Sequence, residues 1–141
     1  MSGDANVDVD ERRQLSRPSA DTRHMFGFQG LDVYRCAVRF LALAMQRAAV
    51  GASGTGGIPD QLRRGALSIP LNIAEGTGRF GKDQRRFYVT ARGSALECAA
   101  ILDAIEVLEL AVEPELSEPR ELLVRVVSML TKMIRVDELC S

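Results

Sequence analysis

The sequence predicts an all-α protein, an antiparallel up-down four-helix bundle, and three observations carry that expectation. Apolar residues recur at spacings of three and four in four separate stretches. No stretch alternates apolar and polar residues as a half-buried strand would. The stretches are divided by short glycine- or proline-bearing segments, the lengths that join neighbouring helices. With 141 residues and 46% hydrophobic composition, the chain can build one domain with a real core and is too short for two ordinary ones.

Residues 1–27 mix acidic residues, Arg, Ser, Pro18 and Gly27 without a hydrophobic period, which predicts a disordered acidic and polar leader. The bundle is expected over residues 28–138. Leu31, Tyr34, Val38, Leu41, Met45 and Ala48 then give the apolar stripe of a first helix, which stops at the turn-rich GASGTGG from Gly51. Pro59 sits in the first turn of a second helix, where its missing N–H costs nothing. Leu62, Ala66, Ile69 and Ile73 form the buried stripe of that helix, and Pro70 should kink it. Gly76 and Gly78 should stop it with positive-φ conformations.

A third helix is expected from about Lys82 to Leu110, with Phe87, Ala91, Ser94, Cys98, Ile101, Ile105 and Leu108 on its seam. The segment AVEPELSEP carries two prolines and reads as a loop. Leu122, Leu123, Val126, Val127, Leu130, Met133 and Ile134 make a broad apolar face for a fourth helix.

The stretch EGTGRFGKD, Glu75 to Asp83, matches two nucleotide-binding fingerprints at once. Gly76, Gly78 and Gly81 fit G-x-G-x-x-G, and Gly76, Gly81 and Lys82 fit G-x-x-x-x-G-K. Both need a strand to deliver the glycine turn to a helix N-terminus, and here SIPLNIAE precedes it with helical spacing. Asp83 also puts a carboxylate where a phosphate loop has a hydroxyl for magnesium. The stretch therefore reads as a helix-to-helix link.

The formal charge of −1 is unevenly spread: Asp60 to Arg92 holds seven basic residues against Asp60, Glu75 and Asp83. Such a run is most often a solvated helix face, but it is also what a polyanion would meet. The N-terminus has no basic region followed by an apolar one, so no secretory signal is expected, and no apolar run reaches the roughly 18 residues of a membrane span. A cytoplasmic protein is expected. Cys36, Cys98 and Cys140 are odd in number and widely spaced, which favours buried thiols over disulfides or zinc. His24 is the only histidine and lies in the leader, so the Glu-x-x-His pairs of a bundle di-iron site are impossible. No cofactor, no metal and no enzymatic activity are expected.

The segment QLRRGALSIPLNIAEGTGR (61–79), followed by KDQRRFYVTARGSALE up to Glu97, resembles the signature of four-helix-bundle proteins encoded in 23S ribosomal RNA intervening sequences. The residues carrying it include Arg64, Ser68, Pro70, Asn72, Glu75, Gly76, Ser94 and Glu97, with Gly65 standing where the family usually has Ala. The resemblance implies the bundle fold and a homopentameric oligomer. Through a related accessory protein of diversity-generating retroelements, it also implies affinity for RNA or DNA and a protein partner such as a reverse transcriptase. It implies no catalysis.

Within that frame Arg85, Arg86 and Arg92, with Arg79 and Lys82, are expected to form an outward basic patch for nucleic-acid phosphates, while Phe87 and Ala91 face the core. Tyr88 is the aromatic expected near the patch. Glu75 and Arg79 should pair at i,i+4. Ser94 is expected in a tight helix crossing beside Gly93. Glu97 either finds Arg64 or Asn72 across the bundle or reaches solvent.

Overall fold

The backbone N–H of Phe26 donates to Oε1 of Gln29 at 2.9 Å, closing a 3-10 turn over Gly27–Gly30. Here begins the part of the chain that the computed structural model describes, residues 26–49 and 56–139. Phe28 of this turn packs edge-on against Tyr34, 4.9 Å between ring centres. The predicted leader lies outside the described residues except at this turn, and so do His24 and Cys140.

Four helices follow: α1 (Asp32–Ala49), α2 (Ile58–Thr77), α3 (Gly81–Val107) and α4 (Glu113–Leu139). Among the described residues there is no strand. Each helix packs against its two neighbours in a ring, α1 with α2 and α4, α3 with α2 and α4, which is a four-helix bundle. The contacts between α2 and α3 run in opposite sequence order. A Cβ on Gly65 would meet Cys98, Ser68 touches Ser94, and a Cβ on Gly76 would meet Tyr88. The same reversal holds between α3 and α4, where Arg92 meets Thr131 and Glu106 meets Arg120.

The core is the sum of one face from each helix. Phe40, Leu62, Ile69, Ile73, Leu102, Leu116, Leu123 and Leu130 are fully buried, each contributing about 1.5–3 kcal/mol by leaving water. The stripe read from α2, Leu62, Ala66, Ile69 and Ile73, is entirely buried. The helix runs unbroken through Pro70, itself buried.

Three expectations are corrected. First, AVEPELSEP is not a loop, because α4 begins at Glu113. Pro114 lies in the first turn, where no N–H is needed, and Glu113 and Glu115 meet the positive end of the helix dipole. Oε2 of Glu115 accepts the N–H of Val112 at 3.2 Å, half of a capping box. Leu116 and Pro119 then carry the buried period into Leu123, and that burial offsets the one hydrogen bond Pro119 removes. Secondly, the buried face of α1 is Val33, Cys36, Ala37, Phe40 and Ala44, while Val38 and Met45 from the predicted stripe are exposed. Thirdly, α3 buries Tyr88, Ala91, Ala95, Cys98, Leu102 and Ile105. Phe87, Ser94 and Ile101 sit half-buried on its flank and Leu108 is exposed beyond its end. Both sets repeat at three and four; the choice is made by which neighbours the helix has.

Candidate functional site

The chain reverses between α2 and α3 in three residues, Gly78, Arg79 and Phe80. The positive φ falls at Gly81 (φ +55), not at Gly78 (φ −87), and Gly76 is an interior residue of α2. Gly76 is small for a different reason. A Cβ there would lie 2.6 Å from Cε1 of Tyr88, so glycine is what lets the two helices approach. The amide of Gln84 donates to the carbonyls of Gly76 and Arg79, both at 3.0 Å, and so satisfies acceptors at the end of α2. What precedes the glycines is α2, so the strand that either nucleotide fingerprint requires is not there.

The five basic residues expected to form one patch part company. Nη2 of Arg79 bonds Oε1 of Glu75 at 2.6 Å and its Nη1 reaches Asp83 at 3.2 Å, so the i,i+4 pair forms as expected. The hydrogen bond to Glu75 is the main cause that raises the Arg79 pKa above its ordinary value. Arg86 also pairs with Asp83, at 3.0 Å. Both guanidiniums lie over the Phe87 ring, 5.3 Å and 4.9 Å from its centre, a cation–π arrangement on the outside of the bundle. Arg92 is not on the outer face: its Nε donates to Oγ1 of Thr131 on α4 at 2.8 Å. Arg85 is half-buried and Lys82 is exposed.

Tyr88, expected beside the patch, is in the core. The aromatic exposed at this turn is Phe80, 89% accessible between Arg79 and Gly81. Helical periodicity is blind to it because it lies between elements. An aromatic following a glycine turn, in a position with no apolar partner at three or four, is the signal that could have found it.

The signature residues are chiefly packing devices. Ser68 and Ser94 share a 2.9 Å hydrogen bond across α2 and α3. The amide of Asn72 donates to the carbonyl (2.8 Å) and the hydroxyl (3.0 Å) of Ser68, one turn back on its own helix. Ser94 is therefore in the crossing, but Gly93 is not, since a Cβ there would meet nothing within 4 Å. Glu97 and Arg64 are both exposed, the solvent alternative. A Cβ on Gly65 would lie 2.8 Å from Sγ of Cys98, so the glycine makes room for the thiol. Burial, and secondarily Glu97, push that thiol up to about 12, which leaves it protonated and inert at neutral pH. Cys36 is likewise a buried free thiol.

At the opposite end of α3 the charges converge on one residue. Arg120 of α4, three-quarters buried in its side chain, pairs with Asp103 at 3.2 Å, with Glu106, and with Glu113. These bonds, Glu106 foremost, raise its pKa. Arg39 and Arg47 of α1 reach Glu118 (3.0 Å) and Glu115 (3.6 Å) of α4. Among the described residues no group of three His, Cys, Asp or Glu is placed to hold a metal ion, and no helix is long and apolar enough to cross a membrane.

The family model described as 23S rRNA-intervening sequence protein matches residues 29–132, nearly all of the bundle. No curated protein matches the chain.

Proposed function

Since the chain belongs to the 23S rRNA-intervening sequence protein family, we propose that it is a non-enzymatic scaffold that acts as a homo-oligomer. One observation supports this above the others: the bundle completes its core and still leaves large apolar side chains exposed on every helix. They include Val38 and Met45 on α1, Leu67 and Leu71 on α2, Val89 and Leu96 on α3, and Val124 on α4. A monomer in water gains nothing from them, whereas a second copy would bury them. The number of copies we propose is five in one ring, the stoichiometry the family resemblance implies. Light scattering coupled to gel filtration should give a mass several times that of the chain, and Leu71→Glu should lower it. A wild-type monomer at micromolar concentration overturns the reading.

A second reading, association with RNA, rests on the turn between α2 and α3. There Phe80, exposed in the turn that follows Arg79 and precedes Lys82 in sequence, offers a stacking surface. Phosphate contacts of this kind weaken with salt. Replacing the exposed Lys82 and Arg86 by Glu should weaken RNA retention and flatten its salt dependence. Full retention by that variant leaves the scaffold alone. A reverse transcriptase or similar protein partner would be sought on the same exposed surfaces.

A further inference from the structure

The two turns that flank α3 differ in charge. The one before it carries Arg79, Lys82, Arg85 and Arg86 against Asp83, whereas the stretch from Glu106 to Glu118 beyond its far end holds five carboxylates and no cation. A polyanion is drawn to the first end of the bundle and repelled from the second. Arg39 and Arg47 of α1 meet Glu118 and Glu115, so α1 runs against α4, as α3 does, and α1 and α3 start at the same end. The 3-10 turn before α1, which packs on α1 and α2, thus shares the basic end with the turn before α3.

Each of these two turns holds out one phenylalanine. Phe80 is 89% exposed while its backbone is fixed: its carbonyl accepts the N–H of Gln84 at 3.3 Å, and the neighbouring carbonyl of Arg79 accepts the Gln84 amide at 3.0 Å. Phe26 is 58% exposed and lies stacked on Phe28, 5.8 Å between ring centres and 8° from parallel, with Phe28 braced in turn by Tyr34. Neither ring is among the apolar side chains assigned above to the contact between copies.

We propose that this end of the bundle binds a single strand of nucleic acid, one unpaired base stacked on Phe80 and another on Phe26, with Lys82 and Arg86 meeting phosphates. The inference rests on the RNA-association reading and adds to it the second ring and the strandedness of the ligand. Strandedness follows from what the rings offer. In a duplex each base is covered on both faces by its neighbours in the stack, so a protruding ring finds a free face where bases are unpaired. Cations alone would take a duplex as readily, because phosphates line both. Phe26 on Phe28 is a stack already begun, and a base on its open side extends it. Arg86 is held by Asp83 and the Phe87 ring, yet keeps 69% of its side chain exposed to a phosphate.

The experiment is fluorescence anisotropy with labelled oligouridylate of about 12 nucleotides, alone and paired with oligoadenylate, at about 50 mM salt. The single strand should bind about tenfold or more tightly than the duplex. Phe80→Ala and Phe26→Ala should each weaken single-strand binding about tenfold and leave duplex binding unchanged, while Lys82→Glu weakens both. Circular dichroism checks that each variant is helical. The chain has no tryptophan, so the indole of the Phe80→Trp variant reports from this turn alone, and its emission should fall as oligouridylate is added. Emission that stays constant through saturation overturns the stacking. Duplex affinity equal to or above that of the strand, or unchanged single-strand affinity in either alanine variant, overturns the inference and leaves RNA association standing. Wild-type protein that retains neither form overturns both.

Discussion

The interface of α3 with α2 and its interface with α4 are built on different physics. Against α2 the helix is held by absence of bulk. Gly65 yields to Cys98, Gly76 to Tyr88, and the hydroxyls of Ser68 and Ser94 touch at 2.9 Å. Against α4 it is stitched by polar side chains, Arg92 to Thr131 and Arg120 to Asp103 and Glu106. Close-packed contacts respond to volume and ignore salt, whereas the Arg120 ion pairs, whose carboxylates face solvent, respond to salt and tolerate more in shape. One helix thus presents two sensitivities on its two sides.

The hardest test of that contrast is Gly76→Val. The Tyr88 ring is buried and cannot swing away from a Cβ placed 2.6 Å from Cε1, so stability should fall by about 3 kcal/mol, by thermal or denaturant melting. An unchanged melting temperature would break the comparison. Adjacent residues sharpen it next. Ser94→Leu should overpack the crossing by about 2 kcal/mol, while Gly93→Ala, with open space around the new methyl, should be neutral or stabilise by up to about 1 kcal/mol. A loss smaller than that of Ser94→Leu is expected at Arg120→Met, which removes the three-carboxylate clamp. Its modest loss in melting temperature should shrink as salt is added, and a salt-independent loss would mean that packing of the side-chain stem governs this side as well.

Four helices and most of the α2 and α4 cores were legible because Leu62, Ala66, Ile69, Ile73, Leu123, Val126 and Leu130 are the periodic apolar residues of amphipathic stretches. In α1 and α3 the apolar arc is broad, and Phe87 next to Tyr88, or Ile101 next to Leu102, fit the period equally well. Only the position of the neighbouring helices chooses between them. The start of α4 was hidden by Pro114 and Pro119, since local propensity opposes a helix that Leu116 and Pro119 stabilise by burial. Of the candidate site, the identities of the basic residues were legible but their commitments were not. The pairing of Arg79 with Glu75 is a local i,i+4 event, while that of Arg92 with Thr131 joins positions on different helices.

The three-residue link from Thr77 to Gly81 also bears on how the chain reaches this state. Tyr88 and Gly76 are near each other in sequence, so the α2–α3 hairpin closes a short loop and loses little chain entropy in forming. Arg39 and Glu118, which join α1 to α4, are 79 residues apart. Contacts of short separation form fastest, which makes the hairpin the natural nucleus and the seating of α1 against α4 the late step that shuts the ring.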